Sequence, residues 1–264
     1  MYLTIPKEWD NQGLGTVLCA ISVINDSKYT TINFSTETYC YFLFKDIISL
    51  YKLNLEVVVG LDLENVISFG DLSKLNCPYI KKDVDYKRNS FIGLAMYPGT
   101  TDVTKRIPQS KANKYPWNKL YTIDEYKEVF RAARLHGYDV ITIDSRKLDL
   151  QKKIELLSMC RAVIGYEGGV AHLAHTLGIP YFMLPWRDVN KQPLRKSQTH
   201  ALHMDLKTYF LNDITELLYW NKKYFHKVLR SLDDENGNNL WLNMPEKNRM
   251  LDDDWNYFQT LTQN

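Results

Sequence analysis

Between Gly165 and His172 the chain sets a carboxylate (Glu167), a glycine pair (Gly168, Gly169) and an imidazole (His172) between two apolar runs. Residues 162–165 have the composition of a short buried strand, 170–177 have helical periodicity, Gly178 stands where a helix-ending glycine belongs, and 179–184 return as a strand. A helix that opens at a glycine turn after a strand presents backbone N–H groups and its positive dipole end to whatever lies above the sheet. The chemistry this favours is anion recognition, and phosphate is the usual guest. The donors would be the N–H groups around Gly168, Gly169 and Val170. His172, in the first turn, could add a hydrogen bond. Glu167 could hold sugar or ribose hydroxyls or simply cap the helix. Neither side chain reads as a core residue, although an ordinary strand–helix–strand crossover would show the same pattern. His175 lies three residues beyond His172, but two histidines without a third ligand nearby make a poor metal site, and no metal is expected.

The elements that must position these groups alternate along the chain. Residues 2–5 read as a strand, 16–25 as a helix, 29–34 as a strand, 37–52 as an aromatic-rich helix and 55–59 as a strand. This β-α-β-α-β order implies a parallel sheet with right-handed crossovers and a ligand at the carboxyl edge of its strands. The loop 6–15, with Glu8, Asp10, Gly13 and Gly15, therefore faces the ligand. From 60 to 90 the pattern weakens and charges accumulate, which puts a domain boundary near Lys87. Residues 91–96 form the next strand, followed by a polar loop with Pro98, Gly99 and Lys105. A helix is expected over 123–135, a strand over 139–143 with Asp144 and Ser145 at its carboxyl end, and a helix over 150–160. Residues 209–232 are expected to be helical. The reading is α/β, with one Rossmann-like half over 1–87 and a second over 88–239. The tail 240–264, which carries Trp241, Trp255 and Phe258, would dock on the first half or serve as an oligomer contact.

The stretch 165–180 resembles the nucleotide-sugar signature of glycosyltransferase family 9, the heptosyltransferase type, whose pattern is G-x-D-[ST]-G-x-x-H-L-A-x-x-L-G-x-P. Gly165, Gly169, His172, Leu173, Ala174, Leu177, Gly178 and Pro180 match it, whereas Glu167 replaces the Asp and Gly168 the Ser/Thr. The order after residue 90 (strand, Pro-Gly, Lys105-Arg106-Ile107-Pro108, amphipathic helix, Gly-Tyr-Asp-Val) and the opening strand, glycine loop and helix also resemble that family. Together these segments cover about the first two-thirds of the chain. The resemblance implies a GT-B-like fold, two facing Rossmann-like doubly wound domains with a cleft between them. It implies transfer of a sugar from a nucleoside-diphosphate sugar to a hydroxyl acceptor, without a tightly bound cofactor. The first domain is shorter than in the family.

Glycosyl transfer needs a base for the acceptor hydroxyl and a cationic or dipolar group for the departing diphosphate. The resemblance gives the diphosphate to Lys105, with Lys114 of Lys114-Tyr115-Pro116-Trp117 as a rival; by their places at strand ends and in the first helical turn, Asp144 and Ser145 would meet the nucleoside and Glu167 and His172 the donor. The family's catalytic Asp falls on Thr16, which is no effective base at neutral pH. Asp10 in the same loop is the expected replacement, with Glu8 second. Segments that combine basic and aromatic residues, with Trp117, Trp186 and Arg187 among them, suit phosphate plus flat or sugar rings. Two acceptors fit: a lipopolysaccharide core or related surface glycan, and a hydroxymethylated pyrimidine in phage DNA, which a wedge of those residues would reach in the duplex. The other readings are a nucleotide-sugar 2-epimerase and a non-catalytic sugar-nucleotide or glycan binder.

Composition bounds these readings. At 264 residues, 45% hydrophobic and net charge +2, the chain has material for one large or two modest cores. It is not a histone-like or ribosomal polycation. Cys19, Cys40, Cys77 and Cys160 lack CxxC spacing and read as reduced thiols. No signal peptide or bilayer-length apolar run is evident, so a cytoplasmic protein is expected, in the host cytoplasm if phage-encoded. The abundance of Asn, Lys, Ile, Asp and Tyr fits an AT-rich genome.

Overall fold

The structure, a computed structural model, describes residues 2–7, 13–60, 80–82, 91–95, 123–143, 149–166, 168–184, 186–187, 193–194, 208–211 and 214–233. The first part is β1 (Tyr2–Ile5), α1 (Leu14–Asn25), β2 (Thr31–Phe34), α2 (Tyr39–Tyr51) and β3 (Glu56–Val59). Its strands form a parallel sheet in the order β1-β2-β3. Thr38 caps α2 by accepting from Tyr41 N, and Lys52 closes that helix at φ 53°. The domain boundary expected near Lys87 lies outside the described residues.

The second part continues with β4 (Phe91–Ala95), α3 (Ile123–Leu135), β5 (Asp139–Thr142), α4 (Leu150–Ser158), β6 (Cys160–Tyr166), α5 (Gly169–Thr176) and β7 (Tyr181–Leu184). A two-stranded antiparallel ribbon of β8 (Trp186–Arg187) and β9 (Pro193–Leu194) follows, then β10 (Thr208–Phe210), α6 (Ile214–Tyr219) and α7 (Lys222–Asp233). Five of these strands form a second parallel sheet in the order β10-β7-β6-β4-β5. Counted from β4, that is the doubly wound order 2-1-3-4-5, with the winding direction reversing between β4 and β6. The expected single helix over 209–232 is thus a strand and two helices. Aromatic, β-branched Thr208-Tyr209-Phe210 pairs with β7, and Asn221 starts α7 by accepting from Tyr224 N at 2.9 Å.

Strand alternation divides the second sheet's side chains between two cores. Ala162, Ile164, Phe182 and Leu184 point to α3, α6 and α7, where they pack with Val129, Leu217, Phe225 and Val228. Val163, Tyr181 and Met183 point to α4 and α5, and the core on that side runs on without a break into α1, α2 and the first sheet. It contains Val170, Leu173 and Leu177 together with Val17, Leu18, Ile21, Phe34 and Phe44. Each such side chain, fully buried, contributes about 1.5–3 kcal/mol. The two sheets therefore share one hydrophobic layer.

His136, at the end of α3, is buried and stacks on Phe225 with ring centroids 4.7 Å apart. Burial, with His226 and Lys222 nearby, holds its imidazole below the ordinary value of 6.5. The unfolded chain then takes up the proton that the native state disfavours. This contribution to stability is whole above the unfolded value and is lost as pH falls through it toward the lower native one. Urea unfolding of the wild type should give a midpoint that drops between about pH 7 and pH 5, and His136→Phe, which keeps the stack, should flatten that drop. Parallel pH curves for the two proteins would show that His136 is not the group responsible.

Candidate functional site

Helices α1 and α5 meet at their first turns. A Cβ on Gly169 would stand 3.0 Å from Leu14 Cβ, and one on Gly15 would stand 2.5 Å from His172 Cδ2 and 2.9 Å from its Nε2. At the other end, Ile80 N donates to Ser22 Oγ on α1 at 3.1 Å and Lys82 N donates to Thr176 O on α5 at 2.9 Å. The two helices therefore run side by side in the same direction. Each returns antiparallel to the strands it connects, so both sheets turn their carboxyl edges the same way.

Parallel packing brings the two N-termini together. The caps are Gly13 on α1, at φ −84° and ψ 172°, and Gly168 on α5, at φ 156° and ψ −171°, a conformation essentially restricted to glycine. Neither cap supplies a side-chain hydrogen bond, and neither first turn carries an acidic residue. The first intrahelical bonds run from Val17 N to Gly13 O and from His172 N to Gly168 O, each at 3.1 Å. The N–H groups of Leu14, Gly15 and Thr16, and of Gly169, Val170 and Ala171, thus have no partner within their own helices. Two positive dipole ends lie against each other, and like ends repel unless an anion sits between them.

The surroundings suit such an anion. The winding of the second sheet reverses between β4 and β6, and in open parallel sheets the ligand crevice lies outside the carboxyl ends at that point. Gly168 follows β6 there. Gly13 is exposed, and Thr16, Gly168 and Gly169 are half-buried. Val170 turns its side chain into the core, so only its backbone is available to a ligand.

His172 differs from its expected place. It is 3% exposed, lies over Gly15, and its Nδ1 is 3.4 Å from Cys19 Sγ. The sequence reading of a non-core residue is corrected: α1 covers the ring because Gly15 has no side chain to hold it off. In this position the imidazole sets the spacing of the two helices. His175 is also buried, on a different neighbour, the Tyr181 ring at 5.8 Å. Sequence reasoning passed over Leu14 and Cys19. The signal for them was a glycine three residues N-terminal to the histidine, together with a first helix that opens on Gly13 and Gly15.

Asp10, Glu8, Lys105, Lys114, Trp117, Asp144, Ser145 and Glu167 lie outside the described residues. β4 ends at Ala95, β5 at Thr142 and β6 at Tyr166, all at the carboxyl edge. Trp186 and Arg187 form β8, which begins two residues after β7 ends and pairs with Leu194 and Pro193. Cys160, the first residue of β6, is buried with its thiol against Leu156 O of α4, and burial pushes that thiol up to about 12, which makes it inert at neutral pH. Among the described residues no three or more His, Cys, Asp or Glu side chains gather to hold a metal, and no helix is long and apolar enough to cross a membrane.

No protein-family model matches the chain, and no curated protein sequence does. Among solved structures, a chain of the accessory secretory protein 1, 2 and 3 assembly of Streptococcus pneumoniae aligns with 99% of this chain and 52% of its own length. The identity is 12% and the TM-score 0.30. This chain spans about half the length of that neighbour, and a likeness at that level carries no argument about fold or function.

Gly15→Ala should force the helices apart and cost about 1–3 kcal/mol, read as a lower urea midpoint at unchanged slope. Combining it with His172→Ala should recover part of that loss, because the clashing ring is gone. Strict additivity of the two changes would mean that the contact does not set the helix spacing.

Proposed function

We propose that this protein is a nucleotide-sugar-dependent glycosyltransferase whose donor diphosphate lies over the paired first turns of α1 and α5. The observation that carries the reading is the meeting of two glycine-capped, acid-free helix N-termini beside the reversal point of a doubly wound sheet. A single N-terminus favours an anion by about 0.3–1 kcal/mol, and more in partly buried geometry. Two of them suit the charge of a diphosphate better than that of a single carboxylate. In GT-B terms the two parallel sheets are the two Rossmann-like halves, drawn together so that α1 and α5 touch.

In the reaction the acceptor oxygen attacks the anomeric carbon and the bond from that carbon to the diphosphate oxygen breaks. The electron pair leaves with the diphosphate, and the acceptor proton passes to a carboxylate, which we assign to Asp10. The backbone N–H groups of both first turns hold the departing charge, and Lys105 is the proposed cationic partner. His172 acts from behind them by fixing their separation. Glu167 and Asp144 are proposed to hold donor hydroxyls, and Trp117, Trp186 and Arg187 to meet the acceptor. That acceptor is a surface glycan or a hydroxymethylated pyrimidine in DNA.

One observation favours a second reading, a non-catalytic sugar-nucleotide binder: the position of the family's catalytic Asp holds Thr16, a half-buried residue of α1. Both readings place a nucleoside diphosphate at the same site, and slow donor hydrolysis by the wild type would exclude the second.

The paired N-termini make an unusual trade-off testable. Gly13 already has the backbone of an N-cap, and a Cβ there meets nothing within 4 Å. Gly13→Asp should therefore stabilise the fold, by roughly a few tenths of a kcal/mol through the cap and about 0.3–1 kcal/mol through its charge at the helix N-terminus. Because the new carboxylate competes for the same N–H groups, the variant should also weaken nucleoside-diphosphate binding at least ~10-fold, read by thermal shift and calorimetry. A stabilised variant with unchanged affinity would place the diphosphate elsewhere. Lys105→Ala should weaken binding while leaving the melting temperature of the free protein unchanged.

A further inference from the structure

A second concentration of charge lies at the opposite, amino edge of the five-stranded sheet, where α3 ends and α7 begins. Lys222, His226 and Arg230 recur at i, i+4 and i+8, so they form one row along α7. Lys222 Nζ would stand 3.2 Å from a Cβ on Gly137, and His226 Nδ1 is 3.1 Å from Tyr138 Oη. Arg161, at the start of β6, and Arg230 both act electrostatically on the Tyr138 hydroxyl. Beside them His136 is 6% exposed, and its Nε2 has no hydrogen-bond partner among the described residues. A neighbouring row on α7, Lys223, Lys227 and Arg230, is exposed, as is Arg134 near the end of α3.

The carboxylates of the same elements stand mostly elsewhere. Asp124, Glu125 and Glu128 occupy the first two turns of α3, at the far end of that helix, where Asp124 pairs with Lys127 and Glu128 with Arg131. Glu216 accepts from Tyr209. Asp139 opens β5 beside Tyr138, and Asp233 is the last residue of α7. Against these two stand Arg134, Arg161, Lys222, Lys223, Lys227 and Arg230.

We infer that this edge binds the phosphate backbone of a single-stranded nucleic acid. The apolar side of α7 is already spent on the core, with Phe225, Val228 and Leu229 at 1%, 0% and 1% exposure, so the helix has no apolar face left to enter a bilayer. What it offers outward is charge and aromatic rings: Tyr219 at the end of α6 is 87% exposed and Tyr224 is 41% exposed. Cations that track a backbone beside rings on which unpaired bases stack are the pattern of single-strand binding. From Lys223 to Arg230 the row extends about 10 Å, enough to meet successive phosphates along one strand. This surface lies across the sheet from the paired helix N-termini, so it stands whether or not they hold a nucleotide sugar.

The test is fluorescence anisotropy of a labelled oligothymidylate against the full-length protein at about 50 and 200 mM salt. Binding should weaken as salt rises, with a log–log slope of about −0.7 for each phosphate neutralised. A Lys223→Glu, Lys227→Glu, Arg230→Glu triple variant should lose at least ~10-fold in affinity and flatten that slope. Tyr219→Ala should weaken binding with the slope unchanged, since stacking releases no counterions. If the triple variant fails to fold, Lys223→Gln and Lys227→Gln, at exposed positions, should each flatten the slope by about 0.7. The inference is overturned by absence of binding at the lower salt, by affinity and slope that survive the charge changes, or by capture on phosphatidylserine vesicles without oligothymidylate binding.

Discussion

The candidate anion site at the carboxyl edge depends on how closely two parallel helices approach. α1 and α5 belong to different sheets, yet Gly15 admits the His172 ring and Gly169 admits Leu14, so the first turns touch. Parallel helices pay for such contact through aligned dipoles, and here the opposing term is burial. Val17, Leu18, Ile21, Val170, Leu173 and Leu177 form one layer. Packing thus holds two positive ends together against their repulsion and leaves an anion as the natural counterpart.

The remainder of the fold maintains that contact. The Tyr51 hydroxyl, on α2, reaches Thr176 Oγ1 at 2.5 Å, and residues 80–82 tie Ser22 to Thr176. Beneath them Val163, Tyr181 and Met183 form the floor on which α5 rests. The opposite face of the second sheet is filled by a separate core around Phe182 and Phe225, which fixes α3 and α7 without touching the site. The two edges of the second sheet can therefore carry different charges for different partners.

Much of this was legible in the sequence because local signals agreed with the fold. The strand at Tyr2–Ile5 and the helix at Ile123–Leu135 fall where their periodicity puts them, and the glycine-opened helix after β6 starts one residue early. The alternation of strands and helices implied parallel sheets, as found. Less visible was whatever depends on contacts between distant segments. His172 reads as a polar site residue until α1, some 150 residues earlier, is seen to cover it. The segment after Tyr209 reads as one helix because its apolar spacing suits either assignment, and only pairing with β7 makes its start a strand. Asn221 was a usable helix-start signal within it.

The central claim, that an anion is held by both first turns at once, is best tested by titrating isotopically labelled protein with a nucleoside diphosphate while following backbone amide resonances. The amides of Gly15, Thr16, Gly169 and Val170 should shift together, with one common affinity, while those of α3 and α7 stay in place. Perturbation of one helix alone, or of neither, would contradict it.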